Sequence, residues 1–220
     1  MSAKPYERDD LAADYARLGY RHGWTFLMTR AARLRDARVA FVGLNPGGGG
    51  AGDDHPYEET WDQPLGNAYF VESWGPNGSL SPIQRQVQAW HTMLGIGADE
   101  SLCAQFVPFR SPDWHRLDRK EEALAVAARL WRGVLDVSPA SLLVTMGKLP
   151  AEHLGSLLEG RVVATLPTGW GNSTIDVLDT PGGRRIVAMP HPSRYQLFNR
   201  LGNASEQARQ SLRIAAGLEP

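Results

Sequence analysis

Four short apolar runs, each followed by turn-forming residues, constrain the fold of this chain most strongly. They comprise residues 39–42, 102–107, 142–145 and 185–189, and none of them alternates clearly between apolar and polar positions. Runs of this kind are typical of strands that are buried on both faces of a parallel sheet. Segments with helical periodicity separate them. The sequence therefore predicts an α/β protein, a three-layer α/β/α sandwich around a short, mainly parallel central sheet.

Several of the helical segments have recognisable ends. Ser81 suits the N-cap of a helix that runs to residue 94. Asp118 can cap a helix that runs to about residue 135, and Asn203 or Ser205 can start a last helix that ends near residue 217. The N-terminal segment, about residues 1–37, is also predicted to be helical.

Size and composition favour a single domain over residues 1–220, since 42% of the side chains are hydrophobic. The formal net charge of −1 gives no overall cationic signature of nucleic-acid binding, although the C-terminal stretch is locally rich in arginine. Cys103 is the only cysteine, which excludes a disulfide or a cysteine-ligated cluster within one chain. No apolar run reaches the roughly 20 residues that span a bilayer. We therefore expect a cytoplasmic protein without a membrane partner.

Two polar residues follow predicted strands and become candidates for chemistry. Asn45 comes shortly after the first strand, and His191 follows the last strand between Pro190 and Pro192. In open α/β sheets, ligands bind beyond the carboxyl ends of the strands. Proline on both sides fixes the backbone that presents the histidine. Alone, Asn45 is better explained as a turn asparagine and His191 as a surface or packing residue, but together they indicate one cleft.

The glycine-rich loop after the first strand has an alternative interpretation, as a nucleotide-binding loop. Backbone N–H groups of such loops can hold a phosphate, which would indicate nucleotide binding. However, residues 43–52 match neither the P-loop pattern nor the dinucleotide-binding pattern, and Pro46 removes one N–H donor. A sharp turn that presents Asn45 into a cleft is therefore favoured.

These segments resemble the uracil-DNA glycosylase superfamily. Gly43-Leu44-Asn45-Pro46-Gly47 is similar to the first motif of its mismatch-specific and single-strand-selective branches, and His191-Pro192-Ser193 is similar to the second motif of the latter. Between the two lie further similar segments in the same order, at residues 51–57, 105–112, 146–148 and 170–174. The resemblance covers most of the chain and implies the family's α/β/α fold.

The resemblance also implies roles in catalysis and base recognition. Asn45 would position the attacking water, and His191 would stabilise negative charge on the departing base. Tyr57 would stack on the flipped base, with Phe70 and Tyr69 as alternates. Gln105 would read the base edge, or else face elsewhere and leave that task to the backbone. The implied base-binding residues are Gly43, Leu44, Gly47, Tyr57, Phe70 and Gln105.

The loop after the second motif would contact DNA. In the family, this loop enters the helix and fills the gap that the flipped base leaves. Tyr195 or Leu197 would act as the wedge, or would pack beneath the last helix, and Arg194 would contact a phosphate or the orphaned base. The implied DNA-binding residues are Ser193, Arg194, Tyr195, Gln196 and Leu197.

The sequence thus predicts a monofunctional DNA glycosylase of base excision repair that flips and releases uracil or a related damaged or mismatched base. We expect DNA as the partner, a monomer, and no metal or cofactor. Two alternatives stay open. One is a non-catalytic nucleic-acid or nucleobase binder with the same fold, and the other is a hydrolase of free nucleosides.

Overall fold

The computed structural model describes residues 6–48, 58–200 and 202–218. Within these ranges, the helices are α1 (Arg8–Leu18), α2 (Arg33–Asp36), α3 (Ala68–Val71), α4 (Pro82–Leu94), α5 (Lys120–Val137), α6 (Lys148–Leu158) and α7 (Glu206–Ala215). The strands are β1 (Trp24–Thr25), β2 (Val39–Gly43), β3 (Glu59–Thr60), β4 (Ser101–Gln105), β5 (Leu142–Met146), β6 (Arg161–Pro167), β7 (Thr174–Asp179) and β8 (Arg185–Met189).

The chain is an α/β protein built on a mixed six-stranded sheet of order β4-β2-β5-β8-β7-β6. The first four strands in this order are parallel, which confirms the four predicted strands as one parallel unit. β7 and β6 are antiparallel additions that the sequence analysis did not predict. The expectation of a mainly parallel sheet is therefore correct for only one side of the sheet. A small second sheet pairs β1 with β3.

Helices cover both faces of the central sheet. Ala40 and Val42 of β2 belong to a core with buried residues of α1, α5 and α6, whereas Phe41 between them belongs to a second core with α4 and α7. This alternation follows from the strand geometry, because successive side chains point to opposite faces. The arrangement is compatible with three layers. No helix in the described part of the chain is long and apolar enough to cross a membrane.

The helix ends confirm some predictions and correct others. The Ser81 hydroxyl accepts a hydrogen bond from the Gln84 backbone N–H at 3.4 Å, and α4 starts as predicted. α5, in contrast, begins after Arg119, which takes a left-handed conformation with φ 50°, so the expectation that Asp118 caps this helix was wrong. α7 begins directly after Ser205, one of the two predicted starts.

Residues 6–37 are only partly helical, which corrects the helical prediction for the N-terminal segment, about residues 1–37. Its extended part, around residues 24–28, runs along the outer side of β4, where the Met28 N–H donates to the Cys103 carbonyl at 2.8 Å. The Gln105 N–H likewise donates to the Phe26 carbonyl at 2.9 Å. This segment satisfies backbone groups that an uncovered edge strand would leave without partners.

Candidate active site

The candidate site lies where β4, β2, β5 and β8 end. Gly43 at the end of β2 is in register with Gln105, and Met146 is in register with Met189. Since the four strands are parallel, the segments that follow them leave the sheet at one edge. β5 separates β2 from β8, so the loops carrying Asn45 and His191 start two strand spacings apart, about 10 Å. A small ligand can span this distance.

Asn45 has an amide whose orientation is set by its neighbours. Its Nδ2 lies 2.9 Å from Ser111 Oγ and 3.2 Å from the Pro46 carbonyl oxygen. The Ser111 hydroxyl donates its own proton to the Asp113 carbonyl at 2.8 Å, so it can only accept from Asn45. Both neighbours therefore require the NH2 group. Among residues 6–48, 58–200 and 202–218, nothing donates to Oδ1, which remains as an acceptor.

Gln105 and Gly43 pack against each other at the base of the site. A Cβ atom on Gly43 would lie 2.3 Å from Gln105 Oε1, so any other residue at position 43 would displace the end of the Gln105 side chain. Gln105 is buried, and its Oε1 has no hydrogen-bond partner in the described part of the chain. A buried acceptor without a partner is costly, and a ligand donor would remove that cost.

Tyr69 is the aromatic side chain that lies beside Gln105 at the bottom of the site. It is buried, and its hydroxyl donates to Met146 Sδ at 3.4 Å. Burial raises the pKa of Tyr69, and a hydrogen bond from the Gln105 side chain opposes that shift. Phe70 points elsewhere and meets the His91 ring edge-on at 4.9 Å. Of the three predicted stacking rings, Tyr57 lies outside the described residues, and Tyr69 rather than Phe70 is beside Gln105.

Leu44 and Gly47 shape the rest of the first loop. The Leu44 carbonyl accepts from the Val107 N–H at 2.8 Å, which fixes the turn after β2. The Gly47 carbonyl accepts from Arg110 Nη1 at 2.6 Å. A Cβ on Gly47 would meet no atom of the described residues within 4 Å, so those residues leave this position uncovered.

His191 is held in one tautomer. The Ser193 backbone N–H lies 3.3 Å from Nδ1 and the Ser193 hydroxyl lies 2.8 Å from it. A backbone N–H can only donate, so Nδ1 accepts and the proton of the neutral ring resides on Nε2. Desolvation and the nearby Arg194 guanidinium lower the pKa of His191. Near neutral pH, the ring is therefore an uncharged donor through Nε2–H.

The turn after β5 lies directly beside this ring. Gly147 has φ 118°, and a Cβ there would lie 3.6 Å from His191 Cδ2. Lys148 follows, and its ammonium group contacts the Asp176 carboxylate and, at 2.8 Å, the Thr174 hydroxyl. These contacts direct the lysine side chain towards Thr174 and Asp176 of β7, which disfavours it as a nucleophile.

The loop after His191 divides into exposed and buried residues. Ser193, Arg194 and Gln196 are exposed, and Tyr195 is half-buried. Leu197 is only 1% exposed and lies in the core between the sheet and α7. In this conformation Leu197 cannot insert into DNA, so packing, the other option considered, explains it. Tyr195 remains the aromatic residue of the loop that reaches the surface.

Two supporting residues were missed by the sequence analysis. Ser111 orients Asn45, and its position shortly after the predicted strand was the available signal. Trp131 of α5 donates from Nε1 to the carbonyls of Gln105 and Phe106, at 3.2 and 3.1 Å, and holds the strand end from behind. No sequence pattern indicated this contact, because Trp131 fits equally well as part of the apolar face of α5.

No protein-family model matches the chain, and no curated protein sequence matches it. Within the described residues, no group of three or more histidine, cysteine or acidic side chains is placed to hold a metal ion. The site offers an amide oxygen at Asn45, an imidazole N–H at His191 and a buried amide at Gln105.

Proposed function

We propose that the protein is a monofunctional DNA glycosylase with the three-layer architecture of the uracil-DNA glycosylase superfamily. The observation that carries the proposal is that neighbouring groups fix the hydrogen-bonding roles of two side chains at one edge of the sheet. Asn45 retains an acceptor, Oδ1, and His191 retains a donor, Nε2–H. Hydrolysis of an N-glycosidic bond needs both, one to orient a water molecule and one to stabilise the departing base.

The chemistry begins once the target nucleotide has left the duplex, because its sugar–base bond is unreachable inside the stack. Water attacks C1′ of the sugar while the bond from C1′ to the base nitrogen breaks. The electron pair of that bond leaves with the base, and a hydrogen bond from His191 stabilises the resulting anion, at O2 when the base is a pyrimidine. Asn45 accepts a hydrogen bond from the water and so orients it. The water's released proton passes to solvent, because an amide does not ionise.

Base recognition falls to Gln105 and Tyr69. Gln105 Oε1 has no partner among the described residues, which favours a base that presents an N–H, such as the imide of uracil or the lactam of hypoxanthine. Among the described residues, none would contact a Cβ on Gly47, so none of them blocks a substituent of the base at this position. Shape alone discriminates a methyl group by about 1–3 kcal/mol, so strict exclusion needs a bulky side chain there. We therefore propose a range of substrates wider than uracil.

Release without strand cleavage is the expected product pattern. Cleavage of the backbone by a bifunctional enzyme needs an amine nucleophile that forms a Schiff base with the sugar. Lys148, the first residue of α6, is the lysine nearest to His191 along the chain. Its ammonium group is paired with the Asp176 carboxylate. The product is therefore an intact strand with an abasic site.

The test is a base-release assay on oligonucleotides that contain uracil, a thymine mismatch, hypoxanthine or a 5-substituted uracil, each single- and double-stranded. Wild-type protein should release at least one of these bases. Asn45→Ala and His191→Ala should each lose most of that activity while binding the same DNA. Tight DNA binding without any release would favour the non-catalytic binder. Release from free nucleosides but not from DNA would favour a nucleoside hydrolase.

A further inference from the structure

An exposed aromatic cluster lies next to the candidate active site and has no role in the mechanism above. It consists of Trp170, Tyr195 and Arg200 and is called the Trp170 cluster here. The Arg200 guanidinium carbon lies 4.6 Å from the centre of the Trp170 ring, and the Tyr195 ring meets that ring edge-on at 6.2 Å. Trp170 is 39% exposed, whereas every other tryptophan is buried or half-buried.

The turn that carries Trp170 is rigid. Thr168 is fully buried, and its hydroxyl donates to the Ser173 carbonyl at 3.0 Å and accepts from the Trp170 N–H at 3.2 Å. The Ser173 N–H in turn donates to the Trp170 carbonyl at 3.0 Å. An aromatic ring held in this way loses little conformational entropy when a ligand stacks on it. A partly exposed aromatic ring on a fixed turn, with a guanidinium beside it, is an arrangement on which a planar ligand can stack.

The Trp170 cluster is connected to the candidate active site through the backbone of one loop. The Tyr195 N–H donates to the His191 carbonyl at 3.1 Å, so the two residues lie about one turn apart. Arg194 next to it is exposed and adds a second cation. Arg200 also reaches the Gly169 carbonyl at 3.5 Å, which ties the loop after β8 to the turn before β7.

We propose that the Trp170 cluster is a stacking site for an unpaired nucleobase that flanks the target nucleotide. The inference rests on the proposed function, since it assumes that nucleic acid reaches this edge. An aromatic face with adjacent cations is the chemistry that binds single-stranded nucleic acid, because bases stack on the ring while arginines meet phosphates. A base within a duplex is already stacked on its neighbours. The protein therefore prefers a target in a single strand or at a locally opened site.

The test compares binding of a fluorescein-labelled 15-nucleotide single strand with binding of its duplex, by fluorescence anisotropy at fixed salt. Trp170→Ala should weaken single-strand binding about 5- to 150-fold, the range for loss of one base–aromatic stack, and should change duplex binding much less. Trp170→Phe should restore most of the affinity. Val162→Ala, which alters an exposed side chain of β6 in the same hairpin, is the matched control and should leave both affinities unchanged.

Two further outcomes separate this inference from the proposed function. Unchanged single-strand binding in Trp170→Ala, or an equal loss on both strands, overturns the stacking site even if wild-type protein releases bases. A selective single-strand loss in a protein that releases no base supports the stacking site and refutes the glycosylase. Intrinsic fluorescence provides a second readout, because unlabelled single strand should quench wild-type protein and should quench Trp170→Phe less.

Discussion

Replacement of Ser111 by alanine tests how the amide of Asn45 is oriented. The change removes one of two acceptors on Asn45 Nδ2, a bond of 2.9 Å, and leaves the Pro46 carbonyl at 3.2 Å. A neutral hydrogen bond contributes about 0.5–1.5 kcal/mol. This hydrogen bond favours the amide orientation that presents Oδ1 to the water. At about 1.4 kcal/mol per factor of ten, its loss lowers kcat roughly two- to twelvefold. Ser111 is buried, but its replacement by alanine removes only one oxygen atom and therefore creates little space.

The assay is single-turnover base release from the best substrate in the panel. Asn45→Ala removes the water-orienting oxygen itself, and its rate should fall much further, by at least roughly a hundredfold. Ser141→Ala is the matched control, since this exposed serine precedes β5 at the opposite end of the sheet. A Ser111→Ala enzyme with the wild-type rate would refute the argument that this hydroxyl fixes the amide. A loss as large as that of Asn45→Ala would also contradict it.

Three further predictions follow from the same contacts. Gly43→Ala places a Cβ 2.3 Å from Gln105 Oε1 and should destabilise the fold by about 1–3 kcal/mol in urea unfolding, with much of the loss absent when Gln105 is alanine as well. Arg194→Gln removes a neighbouring positive charge and should raise the pKa of His191 in an NMR titration; an unchanged or lower pKa would contradict the assigned cause. Burial lowers the pKa of His91, so the free energy of unfolding should fall as pH drops below about 6.5, where the unfolded chain takes up a proton that the native chain does not. That slope should be smaller in His91→Gln.

The parallel half of the sheet was predictable because each of its strands is a short apolar run that ends in turn residues. The antiparallel half was not. β6 is an edge strand with exposed Val162 and Val163 and a bulge in its register. It has no buried run, and its burial alternates only over residues 163–167. β7 does alternate, with Ile175 and Val177 buried, and this period of two was an available signal.

The site was predictable at the level of which strand ends carry polar residues, because topology brings those ends to one edge. Contacts between side chains far apart in sequence were not. The Ser111 hydroxyl reaches Asn45 only because the loop after β4 folds back over the loop after β2. Leu197 was considered as a wedge because it follows the second motif. The direction of its side chain, however, depends on how the loop packs on α7, and sequence periodicity does not predict that packing.

The most direct test of the central claim is release of free base from a uracil- or hypoxanthine-containing oligonucleotide, measured by chromatography for wild type, Asn45→Ala and His191→Ala. The account predicts release by wild-type protein, an intact strand with an abasic site, and losses of roughly a hundredfold or more in each variant. Equal release by all three proteins would indicate a contaminating activity. That result, or the absence of release from every oligonucleotide in the panel, would contradict the proposed roles of Asn45 and His191.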